Sequence, residues 1–272
     1  MIGPADAETF SRCIAVGGVA VFPADTVYGL ACEPDNREAV TQLYFLKRRR
    51  PDKPAAVMFF DRELALAALP ELGPRTRGAL EALLPGAVTL LLPNPHRRFP
   101  LACGPDPETL GLRVPAWPDA LAPLGAVRWP VLQSSANEAG GADARTLAAV
   151  PDRIRRAADL VLDGGELPGT PSTVVDLRAW EHDGAFGIAR AGAVPEDEVA
   201  RASASGSRAR SAAERPRPLG LSAGTGMSAR AGGFEPPPPM ETAGPGPPRR
   251  GGAGGAGRSS GDRLARPRNG CG

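Results

Sequence analysis

Short apolar and β-branched runs alternate with amphipathic stretches along the first 200 residues of the chain. Apolar runs of this kind, bounded by Gly and Pro, predict buried strands, whereas apolar residues spaced three or four apart predict helices. About eight strands are predicted, at 17–23, 55–60, 87–92, 110–114, 129–133, 160–162, 173–177 and 185–189. The alternation of strands with helices predicts an α/β domain with a largely buried sheet.

Four helices are predicted between these strands, at 37–46, 74–84, 118–124 and 144–157. The first would turn Val40, Leu43, Tyr44 and Leu46 toward a core. The second is stopped by the Pro-Gly turn that follows it. No internal repeat is visible, and a domain of about 200 residues is of ordinary size.

The composition changes sharply near residue 201. From there on, about a third of the residues are Gly or Pro, aromatic residues are nearly absent, and runs such as PPPP and GGAGGAG occur. We therefore predict an ordered domain at 1–200 and a disordered tail at 201–272. The tail carries twelve arginines against four acidic residues, so the net charge of +2 divides into a basic tail and an acidic body.

An acidic body argues against long nucleic acid bound by charge alone, although a local basic groove is compatible with it. The four cysteines show no CxxC spacing, so they predict reduced thiols, with neither a zinc site nor a disulfide framework. No secretory signal or membrane-spanning apolar run is visible. We expect a cytoplasmic protein with no membrane contact.

Both lysines of the chain, Lys47 and Lys53, fall within the segment KRRRPDKP. An ammonium group is a compact point charge, and arginine adds a planar fork that binds phosphate or carboxylate in bidentate fashion. The segment predicts a site for a nucleotide phosphate. The alternative, which the residues leave open, is a solvated helix end.

Polar segments follow several predicted strands, and open α/β sheets bind their ligands at strand ends. These segments are PADTVYGL, KRRRPDKP, ETLGLRVP and QSSANEAGG, followed near the end of the body by GTPSTVVDL and ARAG. In this order and spacing they resemble the YrdC-like threonylcarbamoyl-AMP synthase family. The specific matches are DTVYGL (25–30), the K-x-R element with its following PDKP, and the S-A-N element at 135–137.

The resemblance implies a single YrdC-like domain with a twisted, open, mixed sheet, flanking helices and a concave basic groove. It also implies a nucleotidyltransferase that joins ATP, L-threonine and bicarbonate into threonylcarbamoyl-AMP and releases pyrophosphate. The product would pass to the tRNA threonylcarbamoyl transferase machinery, which forms N6-threonylcarbamoyladenosine in tRNA. Magnesium would accompany ATP, held mainly by its phosphates rather than by a protein metal site.

The family's positions map onto two sets of residues in this chain. The nucleotide side receives Lys47, Arg49, Lys53, Thr109, Ser135, Asn137 and Arg190, of which Lys47 and Arg49 are the expected catalytic residues. The threonine side receives Thr26, Arg113, Gln133 through its backbone region, and Ser172. The chemistry fits these residue types, because an anionic threonine carbamate must approach an anionic α-phosphate, and cations have to offset the repulsion.

Plainer interpretations of the same side chains remain open. Thr26 could satisfy a turn, Ser135 could cap a helix, and Ser172, Arg113 or Arg190 could form ordinary internal contacts. The chain also departs from the family pattern. Ala24, Arg50, Met58 and Ser134 stand where the pattern has threonine, proline, often histidine, and proline.

Three rival functions follow from these observations. An RNA-binding YrdC-like paralogue with weak or no synthase activity would use the groove and the arginine-rich tail for phosphate contacts, so RNA is a possible partner. A carbamoyl-transfer enzyme of hydrogenase maturation would require additional domains and zinc-type cysteine motifs. A paralogue without efficient activity is suggested by Ala24 alone.

Overall fold

The computed structural model describes the backbone of residues 1–213 and the side chains through residue 204. The described residues belong to one compact unit. Their α-helices are α1 (Pro4–Ala15), α2 (Arg37–Leu46), α3 (Arg62–Ala68), α4 (Pro74–Leu83), α5 (Pro100–Cys103), α6 (Asp152–Ala157), α7 (Trp180–Asp183) and α8 (Glu196–Ala213). Two 3-10 helices cover Asp119–Ala126 and Leu147–Ala149.

Within residues 1–213, the strands form one open mixed sheet. They are β1 (Ala20–Pro23), β2 (Tyr28–Cys32), β3 (Ala56–Met58), β4 (Val88–Pro93), β5 (Thr109–Arg113), β6 (Val131–Ser135), β7 (Leu160–Val161), β8 (Thr173–Asp176) and β9 (Gly187–Arg190). Their order across the sheet is β7-β1-β2-β6-β3-β5-β4-β8-β9. The pairs β1–β7, β3–β5 and β4–β8 are parallel, and the other neighbours are antiparallel. The predicted α/β class with a mixed sheet and flanking helices is confirmed.

The core lies between this sheet and the helices that cover it. Phe10 and Ile14 of α1 are fully buried, and the Phe10 ring packs against Phe22 of β1 and Phe60 with centroid distances of 5.1 and 5.5 Å. Trp117 extends the cluster by stacking on Phe60 at 5.5 Å. Aromatic pairs of this geometry add to the stabilisation from buried apolar area.

Local sequence signals account for the helix boundaries. Asn36 caps α2, because its side-chain oxygen accepts hydrogen bonds from the backbone amides of Glu38 and Ala39. Asp61 caps α3 in the same way through Leu64. Proline at the first position of α4 is compatible with a helix start, since its missing N–H would have no intrahelical partner there.

Several predicted elements differ from the observed ones. The segment that begins at Tyr28 is a fully buried strand, β2, between β1 and β6, where the sequence predicted only a polar strand end. The predicted helix 144–157 is instead a loop, a 3-10 turn and the short α6, since Pro151 precedes α6 and interrupts a continuous helix. The prediction of 118–124 as helix corresponds to a 3-10 helix that contains Pro123. Helices α1, α3, α5, α7 and α8 were not predicted.

Helix α8 packs against α4 and buries Val199 and Ser203. It starts before the predicted domain boundary at residue 200 and continues through Ala213. Residues 214–272 of the predicted tail lie outside the described part of the chain. No helix among the described residues is both long and apolar enough to cross a bilayer.

Candidate functional site

A groove opens over one face of the central strands, with a cavity of about 380 Å³. The sequence of strand β5 explains why the groove lies on this face of the sheet. Its alternation turns Leu110 and Leu112 into the core and leaves Thr109, Gly111 and Arg113 on the groove face. Small residues form the floor, because Gly111 lies beside Ala56 in the register of β3 and β5. Polar and apolar side chains surround the floor. The polar ones are Arg49, Thr89, Asp106, Thr109, Arg113, Gln133, Ser134, Ser135, Asp143, Ser172 and Arg190, and the apolar ones include Val27, Leu91, Cys103 and Val174.

Lys47 ends α2 directly behind the wall of the groove. Its side chain is 1% exposed, and its ammonium donates to the backbone oxygens of Ser135 and Asn137, the latter at 2.8 Å, and to Asn137 Oδ1 at 2.9 Å. Burial and the neighbouring Arg49 charge lower the pKa of Lys47 to about 8, while Asp143 acts in the opposite direction. Lys47 therefore holds the end of β6 and places a titratable positive charge beneath it.

Asn137 is the centre of this network. Its Oδ1 also accepts the Ser135 hydroxyl at 2.7 Å, and its Nδ2 donates to the Gly141 carbonyl at 2.6 Å. Through these bonds Asn137 ties the end of β6 to the loop that follows it. Ser135 lines the groove directly.

Arg113, at the end of β5, forms a buried ion pair with Asp25. Its Nη2 donates to Asp25 Oδ1 and to the Thr26 hydroxyl at 2.6 Å, and both charged side chains are at most 5% exposed. Burial raises the pKa of the Asp25 carboxyl, against the opposing effect of the Arg113 charge. Thr26 and Asp25 therefore fix the orientation of Arg113, which lines the groove.

Arg190 lies at the far side of the groove, on β9. Its Nη2 donates to the Ser172 backbone oxygen at 2.7 Å and approaches Ser172 Oγ at 3.4 Å. Ser172 Oγ in turn lies 2.9 Å from the Thr89 hydroxyl. Burial, and to a smaller extent the charge of Arg190, lowers the pKa of Arg113. The two guanidinium groups thus act on the same part of the groove.

The KRRRPDKP segment separates into residues that face the groove and residues that do not. Arg49 lines the groove, donates from Nη2 to the Pro54 carbonyl at 2.6 Å, and lies over the Tyr44 ring at 6.0 Å. Lys53 is exposed, and its backbone oxygen accepts the Tyr44 hydroxyl at 2.6 Å. Arg50 pairs with Asp52 outside the groove.

Gln133 and Thr109 occupy the groove wall with different neighbours. A side chain at Gly29 would meet Gln133 Nε2 at 2.8 Å, so the glycine of the DTVYGL motif leaves room for Gln133. Thr109 Oγ1 lies 3.4 Å from Arg178 Nη1, an arginine that Asp176 binds closely. Glycine is required at position 29 of the motif because a larger residue would collide with Gln133, a contact that the sequence alone did not reveal.

Seven of the predicted site residues line the groove together: Arg49, Thr109, Arg113, Gln133, Ser135, Ser172 and Arg190. Lys47, Asn137 and Thr26 lie behind them, bonded to groove residues or to the β6 end. Lys53 is not among the lining residues. Sequence reasoning did not select Asp25, Thr89, Asp106 or Asp143, although Asp25 lies inside the quoted DTVYGL motif.

The carboxylates of Asp106 and Asp143 line the groove, and carboxylate oxygen is a donor that magnesium accepts. No group of three or more His, Cys, Asp or Glu side chains suited to a metal ion occurs among the residues that the structure describes. Asp106 and Asp143 are thus the carboxylates of the groove lining that could contact a cation.

Comparison with known proteins places these features in a family. Residues 12–192 match the family model Sua5/YciO/YrdC, described as telomere recombination. The chain belongs to the Sua5/YciO/YrdC family. Its relatives include proteins named threonylcarbamoyl-AMP synthase. That of Saccharophagus degradans is 33% identical over 168 residues, which cover 61% of this chain and 87% of the relative. That of Stutzerimonas stutzeri is 32% identical over 184 residues, which cover 66% and 97%.

A solved structure of a Sua5 protein supports the same family assignment. The P. abyssi Sua5 complexed with L-threonine superposes with a TM-score of 0.65 at 25% sequence identity. The match covers 74% of this chain and 58% of the P. abyssi chain, so this chain spans little more than half the length of that Sua5. The resemblance inferred from the sequence motifs is thereby confirmed at the level of the family.

Proposed function

We propose that this protein is an L-threonylcarbamoyl-AMP synthase, a nucleotidyltransferase that uses ATP, L-threonine and bicarbonate. The observation that carries the proposal is the convergence of Arg49, Arg113 and Arg190 on one groove, with the Lys47 ammonium clamped behind Ser135. Relatives that carry the synthase name, and a Sua5 that binds L-threonine, support the assignment. Such a groove suits two anionic reactants.

The reaction consists of two balanced steps. The threonine nitrogen attacks the carbon of bicarbonate, water is lost, and a carbamate anion forms. A carbamate oxygen then attacks the α-phosphorus of ATP, the bond from that phosphorus to the bridging oxygen of the β-phosphate breaks, and pyrophosphate leaves. Because both partners of the second step are anions, the protein must neutralise charge and fix the in-line geometry.

The groove offers separate ends for the two substrates. Arg113 is held by Asp25 and Thr26 through Nη2, so its Nη1 is the group left to donate to the threonine carboxylate, with Ser172 beside it. Arg190 borders this end and, as a predicted nucleotide-side residue, marks where the two substrates meet. Gln133 lines the wall between them.

The nucleotide end is formed by Arg49, Ser135 and Thr109. Arg49 can bridge two oxygens of one phosphate. The Ser135 hydroxyl donates its proton to Asn137 and can accept a hydrogen bond from a sugar hydroxyl. Lys47 and Asn137 fix Ser135, and the Lys47 charge stabilises negative charge that develops nearby. Magnesium, bound with ATP, would neutralise phosphate charge, with Asp106 and Asp143 within the same groove.

Pyrophosphate release by the purified full chain tests the proposal. The assay contains ATP, magnesium, bicarbonate and L-threonine, with L-serine and no-amino-acid controls, and mass spectrometry identifies the adenylate product. We expect release that requires threonine and bicarbonate and is lost in Lys47→Ala. Arg12→Ala, which removes an exposed ion pair with Glu8 on α1, is the matched control and should retain activity.

Two results would contradict the proposal. A folded protein that releases no pyrophosphate would be an inactive paralogue. Strong, salt-sensitive binding to RNA by such an inactive protein would favour the RNA-binding function instead. Addition of the transferase machinery and tRNA to an active preparation would test the downstream step.

A further inference from the structure

Thr89 of β4 lines the groove but does not take part in the reaction proposed above. Its hydroxyl lies 2.9 Å from Ser172 Oγ, and both residues are buried. In the register of β4 and β8, Thr89 faces Val174, which in turn faces Arg190 of β9. On its other side, the β4–β5 register in which Leu90 faces Leu112 brings Thr89 opposite Arg113. Thr89 therefore lies between the two arginines of the groove.

The hydrogen-bonding capacity of the pair limits how it can be used. Each hydroxyl carries one proton and two acceptor sites. Arg190 Nη2 approaches Ser172 Oγ at 3.4 Å, and an arginine only donates. If Thr89 also donates to Ser172, both acceptor sites of Ser172 are engaged, and its own proton points to a third group. The hydroxyl proton of Ser172 is then directed into the groove, because Ser172 is one of the lining residues.

We propose that Thr89 is a positioning residue of the amino-acid subsite, which fixes the Ser172 hydroxyl so that it donates to an oxygen of the substrate bound between Arg113 and Arg190. The inference rests on the proposed function, because it gives that function's amino-acid substrate a defined donor. Thr89 acts through Ser172, so its loss weakens amino-acid binding and leaves the nucleotide end of the groove unchanged.

The valine variant Thr89→Val separates positioning from packing. Valine has nearly the shape of threonine but cannot donate, so Ser172 would become free to turn its proton toward other acceptors. Thr89→Ser keeps the hydroxyl and removes a methyl group. Thr76→Val serves as the control, because Thr76 on α4 is also buried and lies outside the groove.

The experiment measures steady-state KM and kcat for L-threonine and for ATP, and L-threonine binding by calorimetry without turnover. We expect Thr89→Val to raise the KM and the dissociation constant for L-threonine about tenfold, as for one lost hydrogen bond to a charged group. The KM for ATP should change less than about twofold, and Thr89→Ser should restore most of the L-threonine affinity. Thr76→Val should leave every value unchanged.

The outcomes separate the inference from the proposed function. If the wild type releases pyrophosphate but Thr89→Val binds L-threonine normally, or raises both KM values equally, the positioning role is wrong and the synthase assignment stands. If L-threonine binds, weakens in Thr89→Val, and yet no pyrophosphate appears, the subsite is real and the synthase assignment fails. If the wild type does not bind L-threonine, both are overturned.

Discussion

The guanidinium of Arg113 donates to the carboxylate of Asp25, and both side chains are buried beside the groove. The pair joins β5 to the loop after β1, two segments that are 88 residues apart in the sequence. Asp25 Oδ2 and Arg113 Nε have no partner within the described protein. The ion pair therefore fixes Arg113 while leaving part of its hydrogen-bonding capacity unused.

Removal of Asp25 should destabilise the fold. Asp25→Ala leaves the Arg113 charge buried without a counterion, so we expect a loss of about 3–5 kcal/mol in the free energy of unfolding. Asp25→Asn keeps an oxygen acceptor and should cost less. Urea unfolding of both variants, followed by circular dichroism, measures the difference.

Asp152 provides the control for this measurement. It pairs with Arg155 and Arg156 on the exposed side of α6, so Asp152→Ala should cost no more than about 1 kcal/mol. If Asp25→Ala and Asp152→Ala unfold alike, Asp25 does not balance a buried charge. If Arg113 binds the carboxylate of L-threonine, Asp25→Asn should also raise the KM for L-threonine, because it weakens the contact that positions the guanidinium.

The lowered pKa of Lys47 predicts a pH-dependent stability. Its pKa falls from 10.5 to about 8 in the folded protein. Between these values the unfolded chain holds a proton that the folded chain has released, so the unfolded state binds more protons and stability rises with pH across this window. The difference in unfolding free energy between wild type and Lys47→Met, measured from pH 7 to about 10.5, should show this slope. A difference that does not vary with pH would contradict the lowered pKa.

Activity should respond to the same group in the opposite direction. If the Lys47 charge supports the nucleotide end, kcat/KM for ATP should fall above pH of about 8, because that parameter reports the free enzyme. Bound phosphates favour the charged ammonium, so the corresponding limb of kcat should lie at higher pH. Initial-rate pyrophosphate assays over this range measure both limbs. Coincident limbs would mean that ATP does not act on Lys47.

Asn137 offers a way to move this titration. Asn137→Asp places a carboxylate 2.9 Å from the ammonium, which should raise the pKa of Lys47 and shift the basic limb of kcat/KM to higher pH. Asn137→Ala removes an acceptor of the charged form and should shift it lower. Both variants lose the hydrogen bond from Asn137 Nδ2 to the Gly141 carbonyl. The structural effect of that loss is therefore common to the two variants, and only the charge at position 137 distinguishes their pH profiles. A shift in the same direction for both variants would rule out this coupling.

The sequence was sufficient for the fold class. It predicted a strand at 110–114 but not that Thr109, Gly111 and Arg113 share the groove face, which follows from the burial of the two leucines between them. Strand β2 was missed because its YGLAC sequence has few β-branched residues, and its burial between β1 and β6 overrides that weak propensity. Helix α1 was missed although Ala7, Phe10 and Ile14 have helical spacing.

The site was less predictable, because its contacts join distant segments. Nothing near Asp25 in the sequence indicates a bond to Arg113, and nothing near Thr89 indicates Ser172. Thr89 lies within a run of apolar residues, which predicts a buried strand but not a hydroxyl pair at the groove. Such pairings depend on strand order, which periodicity does not determine.

The two tyrosines of the chain donate to two different loops, 163–165 and the one that carries Lys53, and allow a crossed test. The Tyr28 hydroxyl lies within hydrogen-bonding distance of two acceptors, Asp163 Oδ1 and the Gly165 carbonyl, and it accepts a hydrogen bond from the Gly164 amide at 3.1 Å. These residues begin the segment that leads to Ser172. The Tyr44 hydroxyl donates to the Lys53 carbonyl beside Arg49. Tyr28→Phe should therefore raise the KM for L-threonine, and Tyr44→Phe that for ATP.

Each substitution removes one hydroxyl and keeps the ring, so each is the matched control of the other. Each should also cost about 1 kcal/mol of unfolding free energy, as for a hydrogen bond to a half-buried partner. KM values for both substrates and urea unfolding of both variants are the measurements. If both variants raise the same KM, the two loops do not serve separate ends of the groove, and the division between a threonine end and a nucleotide end is wrong.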